Sequence, residues 1–183
     1  SYPNNFLTNV EPYLKEGDLN IISQKNDYIG LNHYQHTRVK SDPNYLLKAR
    51  GAYGNEKPFN MENVELTLMN WEIVPEAYYN QIMELKNKYN NPIIYLTENG
   101  CAYPDIIENG KVNDLKRIEF YKKYLSAVKK SIDNGADVRG YMTWTLMDNF
   151  EWALGFEKRF GLIHVDFETL KRTPKESYYF YEN

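Results

Sequence analysis

The chain has 183 residues, with 22 basic and 25 acidic side chains and a formal net charge of -3 at pH 7. Hydrophobic residues make up 42% of it, and no apolar run approaches the roughly 18 residues of a membrane span, so we expect a soluble globular protein without a membrane partner. A mildly acidic chain without a Lys/Arg cluster also lacks the charge pattern of nucleic-acid binding. Residues 1–9 lack the apolar core of a secretory signal, and the sequence therefore predicts a cytoplasmic location.

The single cysteine and the few histidines argue against a metal centre. Cys101 alone excludes an internal disulfide framework and a multi-cysteine metal site, and without an activating base it is predicted to be a packed thiol. The three histidines lack the spacing of metal ligands. Asp105, Glu108 and Asp114 lie in a polar segment without the ligand pattern of an EF-hand, so we expect them to be solvated. We therefore expect neither a metal ion nor a cofactor.

Aromatic side chains are unusually frequent. They make up 15% of the chain, with 17 Tyr, 8 Phe and 3 Trp. Tyr and Trp combine flat apolar faces with polar edges, so the excess suits a ligand that stacks on such faces, for example a sugar. Packing in the core is the commoner reason for aromatic residues and stays open as an alternative.

Three short apolar runs predict buried strands over residues 28–34, 93–97 and 138–146. None of them alternates cleanly between apolar and polar residues, which favours parallel strands covered on both faces.

Helices are predicted after the first, second and third strands. The first begins at Pro75, the second runs from Asp114 to about Asn134, and the last opens at Pro174. The apolar stripes are Tyr78, Ile82, Leu85 and Tyr89 in the first helix and Leu115, Ile118, Tyr121, Leu125, Val128 and Ile132 in the second.

The predicted order alternates strand and helix three times, interrupted by a long polar excursion over residues 35–70. Such alternation indicates an α/β fold with parallel strands joined by right-handed crossovers. Three strands are too few for a doubly wound sheet, and a (β/α) barrel needs eight strands in at least about 200 residues. The chain is therefore predicted to be one part of a larger sheet or barrel.

Functional side chains of parallel α/β folds gather where the strands end, at the carboxyl edge of the sheet. Carboxylates, amides and indoles follow the three predicted strands. They suit a pyranose, because carboxylates and amides bind hydroxyl pairs and an indole covers the apolar face of the ring. The residues in these positions are Asn32, Tyr34, Glu98, Asn99, Trp144, Asp148, Asn149, Glu151 and Trp152.

Four motifs occur in order along the chain, at residues 27–34, 69–76, 97–100 and 144–162. Together they resemble glycoside hydrolase family 1, the β-glucosidase family, and their shared order and spacing make the resemblance specific. It implies an α/β fold that is the C-terminal portion, about strands six to eight, of a (β/α)8 TIM barrel. Residues 1–183 would then belong to a single barrel domain whose N-terminal half is absent from this chain.

The resemblance implies a catalytic role for two residues. Glu98, in the Thr-Glu-Asn-Gly motif, would be the nucleophile of a retaining mechanism, and Tyr34 would hold its carboxylate. Retaining hydrolysis also needs a general acid/base about 5–5.5 Å from the nucleophile. The family carries that group in an Asn-Glu-Pro motif, whereas the Glu-Pro pair at Glu11 follows Val10 and is not assigned. The acid/base is therefore expected from the missing half.

Six further residues would bind the sugar. Glu151 would also repel a phosphate, which favours unphosphorylated sugars, because the branch of the family that takes 6-phosphorylated sugars has a small polar residue there. Asn32 would lie beside the glycone, Trp144 beneath it, Glu151 and Trp152 at its outer hydroxyls, Phe160 along its wall and Trp71 on the aglycone side.

The sequence thus predicts retaining hydrolysis of β-glycosides, above all unphosphorylated β-glucosides, with a β-glycoside or oligosaccharide as substrate. The other partner would be the N-terminal barrel half, in cis or in trans, and the isolated chain is expected to be inactive. The alternative is a non-catalytic carbohydrate-binding or structural barrel fragment. A second carboxyl group near Glu98 in the assembled barrel would discriminate between the two.

Overall fold

The structure, a computed structural model, describes residues 10–44, 49–51 and 64–182. Residues 1–9, on which the expectation about a secretory signal rests, lie outside these ranges, as does much of the polar excursion. Within them, no helix is both long and apolar enough to span a membrane.

The helices are α1 Asp18–Ile22, α2 Pro75–Lys88, α3 Leu115–Asp133 and α4 Glu176–Glu182, with 3-10 helices at Glu11–Tyr13 and Trp152–Leu154. The strands are β1 Ile29–Asn32, β2 Val39–Ser41, β3 Ala49–Gly51, β4 Ile94–Asn99, β5 Ile107–Glu108, β6 Lys111–Val112, β7 Val138–Thr143, β8 Ile163–Val165 and β9 Arg172–Pro174.

A parallel sheet in the order β1-β4-β7 forms the framework. Its register places Ile29 opposite Ile94, and Ile94 opposite Val138. Helix α2 precedes β4 and α3 connects β4 to β7, which confirms the predicted alternation of parallel strands and helices. The remaining strands form antiparallel pairs, β2 with β3, β5 with β6 and β8 with β9, which we did not predict.

The third strand of the sheet ends at Thr143, earlier than the predicted end at Leu146. The residues that follow bond to a later segment instead of extending the strand. The amide of Leu162 donates to the carbonyl of Thr145 at 2.9 Å, and the amide of Ile163 donates to the carbonyl of Leu146 at 2.9 Å. The chain therefore leaves the sheet here and begins the segment that carries several predicted sugar contacts.

The main core lies between the sheet and the two long helices. Ile94 and Leu96 of β4, the central strand, have no exposed surface. Cys101 is equally buried, and burial raises the pKa of its thiol to about 12, which confirms a packed thiol. The buried cluster consists of Leu31, Tyr78, Ile82, Ile94, Leu96, Cys101, Tyr103, Phe120, Tyr121, Tyr124, Val128, Ala136 and Leu162.

The predicted apolar stripe of α3 is correct only in its middle. Tyr121 and Val128 are buried, but Leu115 and Ile132 are 63% and 46% exposed. The buried face is shifted towards Phe120, Tyr124 and Ala127, and it also contains a charged residue, Arg117. The buried residues of α3 are Arg117, Phe120, Tyr121, Tyr124, Ala127, Val128 and Ser131.

The outer strands are less covered than predicted. Tyr28, next to β1, is 58% exposed, and Met142 on β7 is 48% exposed. Among the residues that the structure describes, β1 and β7 each pair with β4 alone in this sheet, so each presents an edge without a neighbouring strand. The described sheet therefore has the form expected of one part of a wider sheet.

The prediction that Asp105 and Asp114 are solvated is wrong. Their side chains are each 1% exposed, and both bind the guanidinium of Arg117, which is wholly buried. The ammonium of Lys175 also donates to Asp105 at 2.5 Å. Burying a carboxylate is costly unless it is paired, and these cations offset that cost. Glu108, by contrast, is exposed as expected.

Candidate active site

Glu98 and Tyr34 meet at the carboxyl edge of the sheet. Glu98 lies near the end of β4, opposite Asn32 at the end of β1. Tyr34 follows two residues after Asn32, and its hydroxyl donates a hydrogen bond to Oε2 of Glu98 at 2.7 Å. Parallel pairing thus joins two side chains that are 64 positions apart in the sequence.

The tyrosine is held in its neutral, donating form. Burial raises the pKa of Tyr34 far above its usual value, and the hydrogen bond to Glu98 and the charges of Glu98 and Glu151 raise it further. The phenol therefore keeps its proton throughout the physiological range. A donor fixed at one carboxylate oxygen holds the Glu98 side chain in a defined orientation.

Asn99, the residue after Glu98, ties the central strand to both of its neighbours. Its Nδ2 donates to the carbonyl of His33 at 2.8 Å, and its Oδ1 accepts from the hydroxyl of Tyr141 at 2.7 Å. The residue has no exposed surface. Since Asn99 is buried, these two bonds fix the backbone that carries Glu98 relative to β1 and β7.

Gly100 allows the next strand to approach this backbone closely. The amide of Trp144 donates to the carbonyl of Asn99 at 2.8 Å. A Cβ atom at position 100 would lie only 1.8 Å from the carbonyl oxygen of Trp144. A glycine is therefore required if Trp144 is to lie beside Glu98.

We expect Gly100→Ala to destabilise the complete barrel by about 1–3 kcal/mol, because an added methyl group in a packed site forces the backbone to shift. Urea unfolding measures the cost, and tryptophan fluorescence reports whether Trp144 moves. Gly30→Ala is the control, since its Cβ would come no closer than 3.3 Å, to a side-chain atom of Thr97. Equal losses in the two variants would contradict the requirement for a close approach at Gly100.

A cavity of about 140 Å³ opens beside Glu98. Its walls are largely aromatic: the rings of Tyr34 and Trp71 lie 5.2 Å apart, and those of Trp71 and Phe160 lie 5.9 Å apart. Phe160 is buried, whereas Trp152 is 78% exposed at the rim. The lining residues are Tyr34, Trp71, Glu98, Trp144, Glu151, Trp152 and Phe160.

Glu151 brings a second carboxylate to the same cavity. Burial raises the pKa of Glu151, and the negative charge of Glu98 raises it further. Its backbone amide donates to the carbonyl of Gly155 at 2.6 Å, within the tight turn that contains Trp152–Leu154. The cavity thus combines acceptor groups with flat apolar walls, as pyranose binding requires.

Among the residues to which the family resemblance gives a catalytic or sugar-binding role, Asn32 is the one that does not line this cavity. It is exposed, and its Oδ1 accepts a hydrogen bond from the hydroxyl of Thr97 at 2.6 Å. Asn32 lines an adjacent cavity of about 290 Å³ that shares Tyr34 with the first. The structure therefore places Asn32 opposite Glu98 in the sheet but in the neighbouring cavity.

Glu72 is a supporting residue whose role we did not predict. It follows Trp71 and is 1% exposed, and its carboxylate binds Arg38 at 2.6 Å and His36 at 2.8 Å. Burial alone would raise the pKa of Glu72, but the hydrogen bonds from Arg38 and His36 outweigh it and lower the pKa. This cluster anchors the backbone beside Trp71. The signal in the sequence was a glutamate between two apolar residues, Trp71 and Ile73.

Metal ligation is not a feature of the part of the chain that the structure describes: no group of three or more His, Cys, Asp or Glu side chains there could hold a metal ion. The chemical groups of the site are instead a carboxylate held by a phenol, a second carboxylate and an aromatic wall at the carboxyl edge of a parallel sheet. This arrangement is typical of carbohydrate-active enzymes built on α/β barrels.

Comparison with known proteins agrees with that class. The profile of glycosyl hydrolase family 1 matches residues 2–183. Beta-glucosidase A of Thermotoga maritima is 40% identical over 186 residues, 100% of this chain and 40% of the relative. Beta-glucosidase A of Acetivibrio thermocellus is 40% identical over 189 residues, 99% of this chain and 41% of the relative. A solved Thermotoga maritima family 1 glycoside hydrolase, complexed with a cyclophellitol analogue transition state mimic, matches with a TM-score of 0.87 at 40% identity, over 100% of this chain and 40% of that one.

The chain therefore belongs to glycosyl hydrolase family 1. Its fold is a partial (β/α)8 barrel, as predicted. It spans about 40% of the length of the relatives that it matches.

Proposed function

We propose that this chain is the C-terminal part of a retaining β-glucosidase that acts on unphosphorylated β-glycosides. The observation that carries the proposal is the hydrogen bond from Tyr34 to Glu98 inside an aromatic-walled cavity. The matched relatives named beta-glucosidase support the substrate class. The sequence prediction of a family 1 hydrolase and the geometry of the site lead to the same activity.

In the proposed reaction, Glu98 attacks the anomeric carbon of the glycone while the bond to the aglycone oxygen breaks. The departing oxygen takes a proton from a general acid, and a glycosyl ester on Glu98 remains. Water then attacks the anomeric carbon, loses a proton to the same acid/base group and releases the sugar with its original configuration. Tyr34 keeps the carboxylate aligned and returns to the same hydrogen bond when Glu98 is free again.

The general acid/base is proposed to come from the N-terminal barrel half, in the same chain or in trans. Glu151 is the other carboxylate on the described wall of the cavity, and we assign it to substrate binding rather than to proton transfer. Trp144 would lie beneath the glycone, Phe160 along it, and Trp71 on the aglycone side. Asn32 would approach the sugar from the neighbouring cavity.

The proposal is tested by following hydrolysis of an aryl β-glucoside by the complete barrel with proton NMR. Retention predicts that the β-anomer of glucose appears first and then mutarotates. An α-anomer as the first product would contradict the mechanism. Binding of glucose without hydrolysis would instead support the alternative, a non-catalytic carbohydrate-binding protein.

We expect Glu151→Ser to lower kcat/KM for an unphosphorylated β-glucoside by about 10- to 150-fold, because a charged hydrogen bond contributes about 1.5–3 kcal/mol. The same change removes a negative charge from the wall of the site, so it should improve the relative rate on the 6-phosphoglucoside. Steady-state kinetics on both substrates measure the shift. A wild-type barrel that prefers the 6-phosphoglucoside would contradict the assignment of Glu151.

A cytoplasmic location is also proposed. Its support is the lone cysteine, since Cys101 is a buried free thiol and secreted proteins commonly carry disulfides. Cell fractionation of the source with an antibody to the chain would test it.

A further inference from the structure

Asp148 accepts hydrogen bonds from two buried or half-buried cations. Lys175 Nζ lies 2.8 Å from its Oδ1, and Arg159 Nη1 lies 2.7 Å from its Oδ2. The side chains of Asp148 and Lys175 are wholly buried, and that of Arg159 is 22% exposed. Burial alone would raise the pKa of Asp148, but the positive charges of Lys175 and Arg159 outweigh it and lower the pKa. The residue is therefore a buried carboxylate fixed between two cations.

These bonds close a surface loop at both of its ends. The amide of Gly161 donates to Oδ1 of Asp148 at 2.9 Å, and the amide of Asp148 donates to the carbonyl of Ile163 at 3.0 Å. Asp148 and Arg159 thus form the closed base of the loop 149–158. Glu151 and Trp152 are on this loop and line the cavity beside Glu98.

No residue of the loop 149–158 is fully buried, although Leu154 packs against the cluster around Phe160 and the ring of Phe156 lies 4.4 Å from that of Phe167. Phe150 and Phe156 are 57% and 52% exposed, and Trp152 is 78% exposed. Segments with few buried apolar contacts open at low free-energy cost. We therefore expect the position of Glu151 to depend strongly on the polar closure at the base of the loop.

The closure is anchored to the rest of the molecule through charge pairs. Lys175 bridges Asp148 to Asp105, which in turn binds Arg117 of α3 at 2.8 Å. Arg117 also pairs with Asp114, at the start of α3. Three carboxylates and three cations make up this network, so its charges balance, and a rigid helix sets the position of Asp148.

We propose that Asp148, held by Arg159 and Lys175, is a positioning residue that sets Glu151 against the outer hydroxyls of the glycone. This inference rests on the proposed function, because Glu151 needs a sugar to bind. Asp148 touches no substrate and acts only through the loop. Its loss should therefore weaken recognition of the hydroxyls that Glu151 binds and leave recognition of the rest of the sugar intact.

The test is Asp148→Asn in the complete barrel, with steady-state kinetics on an aryl β-glucoside and on its 4,6-dideoxy analogue. The side-chain oxygen of the new asparagine can still accept from the amide of Gly161, but its NH2 group then takes the place of Oδ2 and faces the guanidinium of Arg159. We expect KM for the glucoside to rise about tenfold or more, since a small misplacement of a binding group has effects of this size. For the dideoxy analogue we expect less than a twofold change. In the Glu151→Ser background, Asp148→Asn should have no further effect on the glucoside.

Asp114→Asn is the matched control, because it removes a charge from the same network at a point that does not touch the loop. It should reduce stability without changing the ratio of the two KM values. Equal losses on both substrates, or an equal change in the ratio for Asp114→Asn, would show that the network is only structural and would overturn the proposal. If Asp148→Asn does not fold, Arg159→Gln removes one bond to Asp148 from the more exposed side and carries the same expectation.

A second measurement separates this proposal from the proposed function. Hydrogen exchange of the backbone amides of residues 149–158 should be faster in Asp148→Asn than in the wild type or in Asp114→Asn. If the wild-type barrel does not hydrolyse glucosides, the proposed function fails, while exchange still decides whether Asp148 fixes the loop. Unchanged exchange in Asp148→Asn would refute the positioning role even in an active enzyme.

Discussion

Glu98→Gln in the complete barrel is expected to lower kcat by about 10⁴- to 10⁶-fold, the range found when a covalent nucleophile is removed. An amide oxygen is too weak a nucleophile to displace the aglycone, so no glycosyl ester can form. The variant should fold normally, because Gln can still accept the hydrogen bond that Tyr34 donates to Glu98. Thermal unfolding would confirm an unchanged fold.

The adduct itself can be measured with a 2-fluoroglucoside, whose slow hydrolysis lets the glycosyl enzyme accumulate. Intact mass should show the added sugar in the wild type and none in Glu98→Gln, and peptide mapping should locate it at Glu98. Glu108→Gln is the matched control, since Glu108 is an exposed carboxylate on β5, outside the cavity. A sugar attached to any other residue would show that the nucleophile is misassigned.

Much of the fold was predictable because its signals are local. Apolar runs predicted the three strands of the sheet. Pro75 predicted the start of α2, and the Asn-Gly pair after α3 predicted its end, each to within about one or two residues of the observed position. The meeting of Tyr34 and Glu98 followed from one further rule, that the carboxyl ends of parallel strands lie at the same edge. The order of the four motifs along the chain then predicted the family.

The features that escaped prediction depend on contacts between residues distant in the sequence. Asp105 binds Lys175 from 70 positions away, and a polar loop gives no local sign that its carboxylate will be buried. The buried face of α3 likewise includes Arg117, which an apolar stripe does not predict. Asn32 lines a neighbouring cavity, and the register between β1 and β4 shifts just before it, because Leu31 lies opposite Leu96 whereas Asn32 lies opposite Glu98.

The roles assigned to the site residues stay predictions, and two sets of variants can test them. Glu98→Gln examines the chemistry, and the Asp148 and Glu151 variants examine recognition. The two sets are separable, because Asp148 and Arg159 are linked to the cavity by the loop 149–158 rather than by contact with Glu98.

The 183-residue chain on its own is expected to have no β-glucosidase activity and no sharp thermal transition. The outer strands β1 and β7 pair only with β4 in the described part of the sheet, so each would leave a ladder of backbone donors and acceptors open. Exposed apolar side chains lie at these strands, Tyr28 at 58% next to β1 and Met142 at 48% on β7. Open edges next to apolar surface favour association or disorder in dilute solution.

A hydrophobic dye should therefore bind the isolated chain, and calorimetry should show a broad transition in place of a cooperative one. Adding the missing barrel half as a separate polypeptide should restore the sharp transition and hydrolysis together, because the same strands would cover the edges and bring the acid/base to Glu98. The matched control is the same mixture made with the Glu98→Gln chain, which should regain the transition but no activity. A strict monomer of 183 residues that melts sharply and hydrolyses glucosides would refute both the need for neighbouring strands and the need for a carboxyl group from the other half.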